Sequence, residues 1–251
     1  MGTHKSKQGG FTLVEIAIVL VIIGLLLGGI LKGQELIQSA RVRSLADAAT
    51  GIQAAYFGFI DRYRQIPGDW GGAQALAAIG NNYPPGPPPP GGDGSGALTQ
   101  TGLPGDAAES SAAWTQLSFA GFIQQGQYLG GAGAYTAAVF NPPGGPILAP
   151  QNSFSGLMIL SRSAGYQQNV GVPAPRLGLF IGRNVPVNVL QELDVKMDDG
   201  STPNSAGSGT LRAAVAGADL ITGTPACTNA APNISWAIAG ASPDCNAFFI
   251  F

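Results

Sequence analysis

One carboxylate, Glu15, stands inside the apolar run from Phe11 to Leu31, FTLVEIAIVLVIIGLLLGGIL. A charged side chain facing lipid costs at least about 2.5 kcal/mol on insertion scales, so Glu15 requires a partner of opposite charge. The two cysteines, Cys227 and Cys245, have 17 residues between them and no CxxC or metal-ligand spacing. In an exported chain the expected arrangement is one disulfide, the alternative being a buried pair of free thiols. A third group, Asp194, Asp198 and Asp199 beside Gly200, could offer oxygens to a calcium ion. Its spacing departs from the EF-hand pattern and Lys196 lies among the carboxylates, so a helix end with a polar turn is the competing reading.

The element that must position Glu15 is read from length. Twenty-one residues at about 1.5 Å each span roughly 31 Å, the thickness of a hydrocarbon core. Residues 1–10, MGTHKSKQGG, are polar and basic. Lys5 and Lys7 hold the N-terminus in the cytoplasm by the positive-inside rule and send the residues after Leu31 outward. A secretory signal peptide would be shorter and closely followed by a small-residue cleavage site, whereas the nearest such site, Ala46-Asp47-Ala48, lies well beyond the run. A plain single-pass anchor fits the length but leaves Glu15 unexplained. A buried core helix is disfavoured by so long an uncharged stretch.

The residues GGFTLVEIAIVLVIIGLLLGGIL resemble the class III signal and N-terminal helix of type IV pilins and type II secretion pseudopilins. The resemblance implies that a prepilin peptidase cuts between Gly10 and Phe11 and that Phe11 becomes N-methylated. It also implies that Glu15 takes part in assembly. Cutting there creates an amine at membrane depth, for which Glu15 of a neighbouring subunit supplies the opposite charge in a low-dielectric site. Implied partners are further pilin copies, the peptidase and an inner-membrane assembly platform, with the precursor in a bacterial inner membrane and the product in an extracellular or periplasmic filament. The stretches IPGDWGGA, AWTQLSFAGFI and LDVKMDDG resemble, more loosely, a bacterial subgroup of prepilin-like proteins. Many pilins carry a proline partway along this helix. Here Gly28, Gly29 and Gly33 are the available weak points.

Beyond the membrane run, apolar residues recur at helical spacing through Leu36, Ile37, Ala40, Leu45, Ala48, Ala49, Ile52, Ala55, Tyr56, Phe59 and Tyr63. The helix is therefore expected to continue to about Arg64 and to give a head its spine, until Pro67-Gly68 ends it. Short helices are expected at Gly72–Ile79 and Ser110–Ile123, around an extended, solvated Pro/Gly-rich loop at 83–96, and a further helix opened by proline at Pro186–Met197. Strands are expected at Leu157–Leu160, Leu177–Ile181, Leu211–Val215, Ile234–Ile238 and Ala247–Phe251. The fold class is α+β: a leader (1–10), a long helix (11–66, of which 11–31 spans the membrane) and a head (67–251) whose C-terminal antiparallel sheet lies on the helix's outer half.

Composition narrows the function. Removing Lys5 and Lys7 with the leader leaves 10 of the 12 basic residues against 14 acidic ones, a net charge of −4, and no basic patch invites nucleic acid. The only histidine, His4, is lost with the leader, which excludes histidine-based nucleophile systems and His-ligated zinc from the mature chain. Charged residues make up only 10%, while Gly (38) and Pro (19) exceed a fifth of 251 residues, so a folded head with long irregular connections is expected. The reading is a non-enzymatic structural subunit of a type IV pilus or a type II secretion pseudopilus, without a cofactor unless calcium binds. The alternatives are a membrane-anchored binding or adhesive protein that does not polymerise, and an exported enzyme relying on carboxylates.

Overall fold

The computed structural model describes residues 13–80, 83–84, 90–98, 106–123, 128, 149–198, 205–214, 227–229 and 234–251. The Gly10–Phe11 junction, Asp199, most of the proline run and Val215 lie outside the described residues. The chain divides into two units, 1–41 and 42–251. Helix α1, Leu13–Tyr63, contributes to both.

In the first unit α1 is helical throughout, including Gly28, Gly29 and Gly33. Every residue from Leu13 to Lys32 is exposed. In the second unit the same helix supplies Val42, Leu45, Ala49, Ile52, Tyr56 and Phe59 to the core. Their spacing of three and four draws one stripe along the helix. The expected stripe began earlier. Leu36 and Ile37 are 62% and 58% exposed, and Val42 is the first buried residue. Helical periodicity identifies a face of a helix; it does not say where along that face the covering elements begin.

Helices α2 (Gly72–Ile79) and α3 (Asp106–Phe119) come after the turn at Pro67-Gly68. Gly68 is required there: its φ is +94°, and an added Cβ would lie 2.6 Å from Leu98 Cδ2. Gln116 of α3 fixes the turn, accepting from Gly68 N at 2.7 Å and donating to the Trp70 carbonyl at 2.8 Å.

The sheet contains β1 (Ile159–Ser163), β2 (Arg176–Phe180), β3 (Leu211–Ala213) and β4 (Ala247–Ile250), all antiparallel, in the order β1-β2-β4-β3. Helix α4, Val187–Met197, lies between β2 and β3 in sequence. Register sets Leu179 opposite Phe249 and Phe249 opposite Leu211, and likewise Phe180 opposite Phe248 and Phe248 opposite Arg212. Alternation therefore places the two sets on opposite faces. On one, Phe249 leads to Phe251, whose ring meets Tyr56 of α1 at 5.9 Å. On the other, Phe248 packs against Phe180 at 4.5 Å and stacks on Tyr166 at 5.4 Å. This is the α+β, pilin-like layout of a long N-terminal helix and a C-terminal antiparallel sheet.

Three expected elements differ in the structure. The helix expected at Ser110–Ile123 is α3, Asp106–Phe119, which lies four residues earlier at each end. β1 is shifted toward Ser163, because Ser161 and Ser163 are buried strand residues despite their polarity. Ile234–Ile238 is not a sheet strand. It makes one isolated bridge, Thr228 with Trp236, and then enters a 3₁₀ turn at Ile238–Gly240. Its β-forming composition reflects burial of Ile234 and Trp236 rather than ladder pairing.

Candidate assembly helix and head contacts

Glu15 sits in the first turn of α1, where the helix dipole favours a negative charge. Around it Leu13 is 90%, Val14 66% and Ile16 49% exposed. By length and composition α1 contains a segment able to cross a membrane, and none of that segment is buried within the protein. A carboxylate among exposed aliphatic side chains is the arrangement expected from the sequence. Its expected partner, the amine of Phe11, belongs to the residues not described.

At the other end of the chain Cys227 and Cys245 form a disulfide with their Cα atoms 5.7 Å apart. Both are buried. Cys245 also exchanges two backbone hydrogen bonds with Val185, donating at 2.9 Å and accepting at 3.3 Å. Beside it Asp244 receives the Arg183 guanidinium as an ion pair and accepts from Asn184 N at 2.9 Å. Hydrogen bonding to Arg183 holds the Asp244 carboxyl below the usual carboxylate range. Next to Cys245, buried Asn246 accepts from Gly182 N at 2.9 Å. The residues on either side of the disulfide's second cysteine thus all tie to the segment between β2 and α4.

The acidic turn is divided by the structure into separate tasks. Asp194 is fully buried in α4 and accepts from Trp236 Nε1 at 2.8 Å. Asp198 closes the C-terminal end of α4 and accepts from the backbone N–H groups of Thr210 and Leu211, at the start of β3. Both carboxylates therefore serve contacts that hold the fold. Asp199 lies outside the described residues.

Three carboxylates not singled out in the sequence do come together. One oxygen each of Asp69, Asp93 and Glu109 lies within 4.8 Å of the others. Asp69 and Glu109 are buried, and Asp93 is exposed. Asp69 accepts from Ser95 N at 2.8 Å, Ser95 Oγ at 3.1 Å and Gly96 N at 2.9 Å. Asp93 accepts from Ser95 N at 2.9 Å, and its own N–H donates to Glu109 at 3.4 Å. The Ser95 hydroxyl and N–H lower the Asp93 carboxyl. Carboxylate oxygens of this kind suit a hard cation, which takes about six to eight of them, so the cluster would supply part of such a shell. The sequence signal was faint: Pro-Gly-Asp-Trp and Gly-Asp-Gly-Ser each read as a turn, and Glu109 is remote from both.

Comparison with known proteins bears on the other end of the molecule. A family model for the prokaryotic N-terminal methylation motif matches residues 5–31. The chain carries the signal of type IV pilins and pseudopilins. The match begins at Lys5 and ends at Leu31, so it takes in the basic residues, the Gly10–Phe11 junction, Glu15 and the whole apolar run. This motif marks structural, pilin-like proteins and a membrane-anchored precursor. Neither the curated proteins nor the solved structures contain a significant match to the chain.

Proposed function

We propose that this chain is a structural subunit of an extracellular type IV pilus or a type II secretion pseudopilus, polymerised through α1. The observation that carries the proposal is the methylation motif at residues 5–31 on a helix whose apolar half buries nothing within its own chain. Prepilin peptidase removes residues 1–10 and methylates Phe11, and the inner-membrane platform adds the subunit to others of its kind. In the bilayer the apolar side chains are solvated by lipid, so association gains little from hydrophobicity and depends on packing and polar pairing. Glu15 and the new amine of Phe11 in an adjoining subunit supply that pairing: each is costly alone in lipid, and assembly brings them together. The head, with its own core and disulfide, then lies on the outward side. N-terminal peptide mass analysis of protein recovered from sheared cell-surface or periplasmic filaments tests this. The expected peptide begins at methylated Phe11, whereas recovery of a chain that still begins at Met1 in such filaments would overturn the processing step.

A further inference from the structure

We draw no further inference here: the strongest candidate, the Asp69–Asp93–Glu109 carboxylate cluster formed by the segments after α1 and the first turn of α3, is a group of acidic side chains with no second feature among the described residues that points to a ligand.

Discussion

Replacing both cysteines, Cys227→Ala with Cys245→Ala, should loosen the sheet from its centre while leaving the core half of α1 in place. The bond spans a sequence separation of 18. In the loop-entropy model a loop of this size contributes about 3 kcal/mol. That is a large share of a typical stability of about 5–15 kcal/mol. For a domain of this size 1 kcal/mol corresponds to roughly 2–4 °C, so the melting temperature should fall by about 6–12 °C. The loss has a defined location. Cys245 exchanges hydrogen bonds with Val185 and stands two residues before β4, which pairs with both β2 and β3. Phe59, by contrast, is buried among Tyr63, Trp70 and Phe122, all distant in sequence from the disulfide. Hydrogen exchange followed by mass spectrometry on the full-length protein in detergent separates the two regions. Exchange should accelerate first in 234–250 and only later in 45–59. An unchanged melting temperature, or earlier opening of 45–59, would refute the reasoning.

Glu15→Leu should leave insertion and cleavage intact but reduce filament yield severely, since the amine of Phe11 loses its proposed partner; wild-type yield in a shearing assay would favour an anchored, non-polymerising protein. Asp244 has a lowered folded pKa, so its contribution is present above the ordinary value of 3.8 and is lost as pH falls through the folded value. Because the pair with Arg183 is partly solvated, with 36% and 24% side-chain exposure, Asp244→Asn should cost no more than about 1 kcal/mol near neutrality and flatten the acid limb of a stability–pH curve. A variant curve as steep as the parent's would assign that limb to other carboxylates. Gly178→Ala should cost about 1–3 kcal/mol by chemical denaturation, because the added Cβ falls 2.6 Å from Phe248 Cζ and nearer still to the Phe249 carbonyl. A neutral effect would mean that β2 and β4 can part at no cost.

The elements legible in the sequence were those specified by local pattern. α1 was visible because an apolar run, a helical stripe and a Pro-Gly stop succeed one another without interruption, and α2 because its apolar residues lie between glycines. The features that escaped were decided by distant partners. Within the second unit the buried stripe of α1 runs from Val42 to Phe59, set by the elements packed on it rather than by the apolar spacing alone. Ile234–Ile238 has strand composition, yet the Trp236 indole is committed to Asp194, 42 positions earlier, while Thr228 supplies its isolated bridge. The same contact separates two members of the acidic turn. Asp194, grouped by sequence with Asp198, is a buried acceptor, because α4 turns that position inward and Asp198 toward β3. Asp69, Asp93 and Glu109 obey no sequence spacing at all; their proximity exists only once the turn at Gly68 has been locked against α3.

The strand order places the last element of the chain inside the sheet. β4 has β2 on one side and β3 on the other, so neither can complete its pairing on that side before residues 247–250 arrive. Among the described strands, β1 and β2 are neighbours in both sequence and sheet; the β2–β4 pairing closes over a much longer stretch of chain and carries the larger loop entropy. Four contacts offset that cost next to β4. The disulfide removes part of the freedom of the segment leading into it, the Arg183–Asp244 pair and the Val185–Cys245 bridge set its approach, and Asn246 fixes its first residues against Gly182. Once seated, β4 sends Phe248 into the Phe180–Tyr166 stack and Phe249 toward the face where Phe251 reaches Tyr56. A single strand thereby joins both faces of the sheet. The cysteines lie far from the methylation motif in sequence, and they act on the strand that leads to Phe251, whose ring meets Tyr56 of α1.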